Sequence, residues 1–459
     1  MHNTKEKAML KSPLFWKVST LIGCMVLLLV PLMLVSSLVA DRASYRDDVE
    51  DSLRQSTSGP QKLIGPLIAV PASEVYTRIE DNKEVKRQRN FILYWLPESL
   101  LINGKQQVES RQIGIYDGQI WHNALQLDAQ FDRSKFEAMK SDNVTLGEPY
   151  MVIAVGDARG IGAVGSPTLN GVAVTVEPGS GVGGDLPGLH IPLAESALKA
   201  RALTLSMTLN LNGTGGFSVV PVGRNSTLTL TSNWPHPGFL GDFLPESRDI
   251  SDKGFSARWQ SSWFANDMAG RFNDGLERVE WRALPAFSVS VATPADQYQL
   301  TDRAIKYAIL LITLTFMAFF VFETLTGLRL HPMQYLLVGL SLVMFYLVLL
   351  ALSEHIGFTR AWAVASLTGA LINGVYFHAV LQGWRNSLLF TGALLGLDSV
   401  MWVLLRSEDS ALLLGSGVLL LALCTVMFLT RHFDWYSLSQ PKEKVKARCE
   451  TEDELRVWK

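Results

Sequence analysis

Six long apolar stretches constrain the fold of this chain more than any other feature of its sequence. Each is close to the roughly 20 residues that a helix needs to cross the hydrocarbon core of a bilayer. They are residues 18–40, 307–328, 333–353, 361–384, 387–405 and 410–430. Only 18% of the 459 residues are charged, against about 25% in a typical soluble domain. The sequence therefore predicts an α-helical integral membrane protein with six spans, one before and five after a long intervening segment.

The orientation of these spans follows from Lys and Arg, which favour the cytoplasmic loops. One set of short segments holds Lys5, Lys7, Lys11, Lys17, Arg329 and Arg385, and the C-terminal tail adds seven more basic residues. The opposite short loops hold only Arg360 and Arg406, with Arg42 and Arg46 flanking the first span. The first apolar run is too long for a cleaved signal segment, so it is expected to remain as an anchor. We predict a cytoplasmic tail (1–17), a first span (18–40), a large outer domain (41–303), a five-helix membrane domain (304–430) and a second cytoplasmic tail (431–459).

The outer domain shows an alternation of apolar and polar residues, which is typical of strands with one buried face. The alternating runs are 172–176, 203–211, 228–230 and 287–291. Residue pairs that end in glycine predict turns at Asn103-Gly104, Asp117-Gly118, Pro178-Gly179 and Asn212-Gly213. The segment 45–54 has apolar residues four apart and predicts a short helix that continues the first span. Together these patterns favour a large all-β domain that resembles an antiparallel sandwich.

Ordered segments over nearly the whole chain resemble the CreD family of bacterial inner-membrane proteins. They include Met9-Leu-Lys-Ser-Pro-Leu-Phe-Trp-Lys17, Ser58-Gly-Pro-Gln-Lys-Leu-Ile-Gly-Pro66, Gly156-Asp-Ala-Arg-Gly160, Ser232-Asn-Trp-Pro-His-Pro237, His331-Pro-Met-Gln-Tyr335 and Asp453-Glu-Leu-Arg-Val-Trp-Lys459. The resemblance begins at Met9, which leaves open whether translation starts there or at Met1. It implies a multi-pass protein of the inner membrane whose large domain is periplasmic. It also implies a role in envelope integrity, control by the CreBC two-component system, and a link to colicin E2 tolerance.

No catalytic, metal or cofactor motif stands out in the sequence, and we expect neither an enzyme nor a nucleic-acid partner. His122, His190 and His236 of the outer domain are far apart, which disfavours a zinc site with closely spaced histidines. The pattern G-x-G-x-x-G occurs at 160–165 and 179–184, but a proline follows each copy within three residues. A nucleotide-binding glycine loop would instead open a helix, so both copies are interpreted as loops. A pair of carboxylates for glycoside hydrolysis stays open, because its members need not be close in sequence.

Two candidate interaction sites lie in the outer domain. Trp234, His236, Trp263 and Asn266 combine aromatic and polar side chains, which suits recognition of a sugar or a protein. Prolines flank Trp234 and His236, so that segment is predicted to be a loop, although large aromatic residues more often fill cores. Asp157 and Arg159 form a candidate polar turn, which either holds a ligand or braces the backbone.

Ionisable residues within spans mark functional sites by default. Asp398 is such a residue, and His378 and Asn373 of the preceding span are candidate partners. The alternative is a hydrogen bond that joins two helices of the bundle. Glu323 is closer to the end of its span, where solvation at the interface would account for it.

The preferred interpretation is an envelope protein of the inner membrane, whose partners are the lipid bilayer and an unidentified envelope protein or glycan. One alternative is a periplasmic protein that binds or modifies glycans. The other is a transporter, which a polar cavity around Asp398 would favour.

Overall fold

The structure is a computed structural model, and it describes residues 13–80, 83–114, 116–182, 186–273, 279–291, 297–326, 330–380, 383–407 and 410–431. The chain divides into two compact units. The β unit comprises Tyr45–Pro294, and the membrane unit comprises Met1–Ser44 together with Ala295–Lys459. Each unit is considered by itself below.

The described helices are α1 (Pro13–Ser56), α2 (Arg133–Glu137), α3 (Glu195–Leu198), α4 (Trp263–Asn266), α5 (Met268–Asn273), α6 (Gln297–Thr326), α7 (Pro332–Ile356), α8 (Phe358–Val380), α9 (Trp384–Arg406) and α10 (Ala411–Thr430). The described strands are β1 (Gln61–Glu80), β2 (Lys83–Trp95), β3 (Ser99–Ile113), β4 (Tyr116–Asp132), β5 (Val144–Leu146), β6 (Tyr150–Ala154), β7 (Ile161–Val164), β8 (Thr168–Leu169), β9 (Val172–Ala173), β10 (Glu177–Pro178), β11 (Gly188–Pro192), β12 (Ala202–Thr214), β13 (Gly216–Val219), β14 (Asn225–Ser232), β15 (Pro237–Gly241), β16 (Ser247–Ser251), β17 (Gly254–Ser262) and β18 (Phe287–Val291).

Six of the described helices are long and apolar enough to span a membrane, which confirms the six predicted spans. They are α1 and α6 to α10. The first helix does not stop at the end of its apolar run but continues to Ser56, as the pattern at 45–54 predicted. Its last twelve residues, from Tyr45 onwards, belong to the β unit.

A stripe of apolar side chains buries one face of α1 in the membrane unit. Leu28, Leu32, Val35 and Val39 lie three or four residues apart and are buried. Gly339 of α7 makes room for this stripe, since a Cβ atom there would come within 2.2 Å of the Leu28 Cδ1. Small residues of this kind allow two membrane helices to approach closely. Much of the rest of α1 faces outward, so its packing depends on a narrow contact.

The β unit is built from two sheets, which confirms the predicted sandwich. One sheet has the strand order β10-β11-β6-β1-β13-β18-β15, with β2 and β5 also paired to β1. The other has the order β16-β17-β14-β3-β4-β12-β8-β9, with β7 paired to β12. Two pairs, β1 with β13 and β3 with β14, are parallel. The sheets are therefore mixed rather than purely antiparallel. The alternation of apolar and polar residues does not tell a parallel pair of strands from an antiparallel one.

The core of the β unit lies between the two sheets and follows the period of two. In β12 the buried residues begin at Leu203 and recur at every second position as far as Leu211. Trp121 of β4 and Trp259 of β17 are the largest fully buried side chains. Trp121 packs edge-on against Phe217 of β13, and Trp259 stacks near Phe287 of β18. These contacts join the two sheets through aromatic rings.

Three of the predicted glycine turns are wrong, because Gly104, Gly118 and Gly213 lie inside strands β3, β4 and β12. Each glycine instead leaves space for a neighbouring side chain. A Cβ atom at Gly118 would come within 2.1 Å of the Leu53 Cδ1, and one at Gly213 within 2.4 Å of the Trp121 ring. Glycine within a strand often marks such a close approach. The turn at Pro178-Gly179 is present, and Gly179 there has a φ of +89°.

Two further strand assignments differ from the prediction. The run 172–176 forms a strand only over Val172–Ala173, where both residues are exposed. The first glycine pattern is not a loop, since its residues 161–164 form β7 beside β12. No helix opens at 160–165. The second pattern at 179–184 extends beyond the described residues.

Candidate functional site

Trp234 and His236 lie in the loop between β14 and β15, as the flanking prolines predicted. The Trp234 ring is half-buried and packs against the core of the sandwich. Its indole N–H donates a hydrogen bond to the His236 carbonyl oxygen at 3.1 Å. His236 is exposed. The loop therefore presents an imidazole to solvent, while the tryptophan ring contacts the core.

Trp263 and Asn266 belong to the short helix α4, directly after β17. Trp263 is half-buried and lies under the Arg224 guanidinium, with 5.5 Å between the guanidinium carbon and the ring centre. Asn266 is buried, and its side-chain amide donates to the Pro221 carbonyl at 3.1 Å and to the Ser261 hydroxyl at 3.2 Å. These contacts give Asn266 a local role in holding the backbone.

The tryptophan loop and α4 do not form one site. Strand β14 pairs with β17 so that Asn225 faces Ser262 and Ser232 faces Phe255. Trp263 therefore follows one end of this strand pair, and Trp234 follows the other. Seven residue steps of about 3.3 Å separate the two ends by roughly 23 Å.

A groove of about 440 Å³ lies on the face of β1, β2 and β5. Ser73 of β1 pairs with Asn90 of β2 and with Thr145 of β5. Paired residues in a sheet point to the same face, so these side chains form one polar row across the groove. Its lining also includes Pro71 and Ile92, which pair with each other on the same face. Sequence reasoning missed this row, because the three residues come from distant segments without a shared pattern.

A cluster of charged and aromatic residues lies on the opposite face of β1 and β2, since Arg89 pairs with Glu74 and successive residues of a strand alternate faces. The Arg89 guanidinium donates to the Glu74 carboxylate at 2.6 Å. It also lies 5.7 Å from the centre of the Tyr76 ring and 5.6 Å from that of the Phe91 ring. Such cation–π contacts hold an arginine in a fixed position. The charged side chain and the two rings thus form an ordered surface on the face of the sheet opposite the polar row.

Asp157 and Arg159 form an ion pair of 2.6 Å at a 3-10 turn after β6. The Arg159 guanidinium also donates to the carbonyl oxygens of Gln55 and Arg54 at the end of α1. Basic side chains favour the end of a helix because its last carbonyls lack partners. The hydrogen bond from Arg159 lowers the pKa of the Asp157 carboxyl below its ordinary value. The pair therefore braces a turn and caps α1 within the β unit.

Glu323 of α6 is buried, and its carboxylate accepts hydrogen bonds from three neighbouring groups. Its carboxylate accepts from the Lys17 ammonium at 2.6 Å, the Tyr335 hydroxyl at 3.0 Å and the Leu330 backbone N–H at 2.9 Å. Interface solvation was therefore the wrong interpretation of this residue. Since Lys17 lies on α1 and Tyr335 on α7, Glu323 joins three helices of the membrane unit.

Glu354 of α7 forms a second cluster that again combines an acid, a basic residue and a tyrosine. Its carboxylate lies 3.7 Å from the Arg42 guanidinium of α1 and accepts from the Tyr298 hydroxyl of α6 at 3.3 Å. Lys17 and Arg42 are 25 residues apart on one helix, or about 37 Å. That distance is slightly longer than the thickness of the hydrocarbon core of a bilayer, which is about 30 Å. A basic residue of α1 is thus bound by an acid and a tyrosine near each edge of the membrane.

The three predicted intramembrane polar residues lie apart from one another. Asp398 of α9 is buried beside Ser366 of α8 and Tyr346 of α7. The Asn373 amide is engaged elsewhere, accepting from the Ser341 hydroxyl at 2.9 Å and donating to the Gly369 carbonyl at 2.9 Å.

The third residue, His378, is exposed on α8, and its ring lies 4.5 Å from the Trp384 ring at the start of α9. Asp398 follows Trp384 by 14 residues, or about 21 Å along the helix. The candidate partners named from the sequence are therefore replaced by Ser366 and Tyr346.

The comparisons with known proteins agree with the architecture. Residues 13–436 match the profile of a family described as inner membrane protein CreD. The inner membrane protein CreD of Escherichia coli (strain K12) is 63% identical over 451 residues, which cover 98% of this chain and 100% of the relative. The chain therefore belongs to the CreD family of inner-membrane proteins.

Proposed function

We propose that this protein helps to maintain the integrity of the bacterial cell envelope, with its β unit in the periplasm as a recognition domain. The single observation that supports this most is the insertion of a sheet-rich unit with a polar groove between the first and second of six candidate spans. Such an arrangement ties a binding surface to the membrane. Response to the CreBC system and tolerance to colicin E2 belong to the same proposal.

The distribution of basic residues supports the periplasmic side for the β unit. Six helices leave both ends of the chain on one side of the membrane. Lys and Arg are concentrated in the two tails and in the loops of that side, which favours the cytoplasm for it. The β unit then lies on the opposite side, where envelope polymers are accessible.

The groove favours a glycan as the ligand of the β unit. Asn90, Ser73 and Thr145 offer an amide and two hydroxyls in one row, and these groups both donate and accept hydrogen bonds. Pro71 and Ile92 of the same lining pair with each other on this face and supply apolar surface. Hydroxyl-rich ligands are bound by convergent polar groups of this kind, with an apolar surface beside them.

A complementation experiment tests this proposal. A strain that lacks the gene is supplied with the wild type, with Thr145→Trp, or with Ser256→Trp as the matched control. Thr145 lines the groove, whereas Ser256 is exposed on β17 of the other sheet. We expect the groove variant to lose protection against detergent and colicin E2, and the control to retain it, at equal protein levels.

Equal protection by both variants would contradict a role for the groove. A strain lacking the gene with unaltered resistance to both agents would contradict the envelope role itself. Crosslinking from Thr145 in intact cells distinguishes the ligands, since capture of a protein in place of a glycan would redirect the proposal to a protein partner.

A further inference from the structure

Two amide side chains lie next to each other in the core of the β unit. Gln106 of β3 and Asn123 of β4 pair directly across the antiparallel ladder. They are 2% and 1% exposed. Both belong to the inward face, since Val108 and Leu125, two positions further along each strand, are also buried. Directly opposite residues on one face have Cβ atoms about 4.5–5.5 Å apart, so the two amides are neighbours inside the sandwich.

Neither amide group has a hydrogen-bond partner among the described residues. The side-chain oxygen and nitrogen of Gln106 and of Asn123 are all buried, and none of these atoms makes a hydrogen bond within the part of the chain that the structure describes. In folded proteins, buried polar side chains nearly always bond either to the protein or to an ordered water. The two amides therefore require a partner that the neighbouring side chains do not supply.

The pair is part of a polar row that crosses three strands. Ser232 of β14 pairs with Gln106 in parallel register, whereas Leu211 of β12 pairs with Asn123 on the other side. Ser232 is half-buried, and its hydroxyl accepts from the Trp234 backbone N–H at 3.2 Å. The polar row thus begins beside the tryptophan loop and ends at the fully buried Asn123, where the apolar core resumes.

We propose that Gln106 and Asn123 form a binding site for internal water, at which one or more water molecules bridge the two amide groups. Each amide offers an oxygen that accepts hydrogen bonds and a nitrogen that donates two. Water both donates and accepts, and a buried water typically makes about three hydrogen bonds to groups that otherwise lack partners. The row of paired residues, which is Phe255, Ser232, Gln106, Asn123 and Leu211, has no charged side chain. A neutral ligand therefore fits this site better than an ion.

Radiolytic labelling of the full-length protein in lipid nanodiscs tests the site. A short X-ray pulse converts water into hydroxyl radicals, which oxidise the side chains beside them, and mass spectrometry locates the oxidised residues. Leu211 pairs with Asn123, whereas Leu205 of the same strand pairs with Ala129. Both leucines are fully buried, so bulk water reaches neither of them. We expect oxidation of Leu211 and not of Leu205, because only Leu211 adjoins the proposed water.

Substitution of both amides should abolish this labelling. The double variant Gln106→Met with Asn123→Leu removes the hydrogen-bonding groups but keeps side chains of similar shape, a change that can be nearly neutral for stability. We expect it to lose the oxidation of Leu211. The matched control Gln107→Met, on the exposed face of β3, should retain it.

The comparison of the two leucines in the wild type requires no variant, so it decides the matter even if the double variant does not fold. Equal labelling of Leu211 and Leu205, whether both are oxidised or both are protected, would overturn the proposal. So would oxidation of Leu211 that persists in the folded double variant, or that the Gln107→Met control also loses.

Discussion

The Lys17 ammonium lies 2.6 Å from the Glu323 carboxylate, although 306 residues separate them in the chain. This ion pair joins the first span to the hairpin of α6 and α7, because Tyr335 of α7 donates to the same carboxylate. The pair of Arg42 and Glu354 repeats the arrangement 25 residues further along α1. The first span is therefore fastened at two points near the edges of the membrane, with an apolar stripe between them.

Replacing Glu323 should destabilise the membrane unit. In Glu323→Ala, the Lys17 ammonium and the Tyr335 hydroxyl lose their shared acceptor, and Tyr335 is buried. Leaving a buried donor such as this hydroxyl without its acceptor typically costs about 1–3 kcal/mol. Thermal unfolding of the purified protein in detergent, followed by circular dichroism, measures the change.

Lys17→Ala is the companion to this prediction. Glu323 keeps two of its hydrogen bonds without Lys17, but its buried carboxylate is left without a cation. An uncompensated buried charge is costly, so we expect a loss at least as large as that of Glu323→Ala. A smaller loss for Lys17→Ala would contradict the view that the ion pair stabilises the cluster.

Gly118 should be intolerant of a larger residue because Leu53 occupies its space. A Cβ atom there would come within 2.1 Å of the Leu53 Cδ1, whereas Gly59 has no atom within 4 Å of such a position. Gly118→Ala should cost about 1–3 kcal/mol, and Gly59→Ala much less. Urea unfolding of a soluble fragment of residues 45–294, which has no cysteine, gives both values.

The double variant Leu53→Ala with Gly118→Ala should be less destabilised than the sum of the two single changes. Residues in direct contact couple in this way. Additive costs would mean that the end of α1 does not rest on β4 at this point.

The spans and most strands could be predicted because their signals are local. Apolar runs long enough to span a membrane are visible within each segment by itself. The same is true of the alternation of apolar and polar residues in β12. The roles of Gly104, Gly118 and Gly213 could not be predicted, since each depends on a side chain from another segment. The same holds for the candidate sites. Asp398 could be chosen by its depth, but Ser366 and Tyr346 became its neighbours only through packing.

The two tryptophans of the β unit should differ in their contribution to stability. Trp259 is fully buried and packs near Phe287 and Phe239, so Trp259→Ala should cost about 3–5 kcal/mol. Trp234 is half-buried, and we expect a smaller loss for Trp234→Ala. The sequence alone suggested that Trp234 stands on the surface, but its ring contacts the core. Equal losses in urea unfolding would assign both rings to the core.

The ion pair of Asp157 and Arg159 should make a contribution to stability that disappears in acid. The pKa of Asp157 is lowered in the folded state, mainly by the hydrogen bond from Arg159. The folded state thus binds fewer protons, and the stabilisation is complete above the unfolded pKa of about 4. It is lost as the pH falls through the lower folded value. The difference in unfolding free energy between the wild type and Asp157→Asn should be constant from pH 5 to 7 and shrink below pH 4. A difference that does not change with pH would contradict the ion pair.

The central claim is that the β unit lies on the periplasmic side and both chain ends in the cytoplasm. The native cysteines are first replaced by serine at positions 24, 424 and 449. Single cysteines are then introduced at the exposed Gln107 of β3, at Ser410 before α10 and at Lys444 in the tail. In intact cells whose outer membrane has been made permeable, an impermeant maleimide should label the first two positions and not the third. Labelling of Lys444→Cys with protection of Gln107→Cys would reverse the topology and contradict the proposed role of the β unit in the envelope.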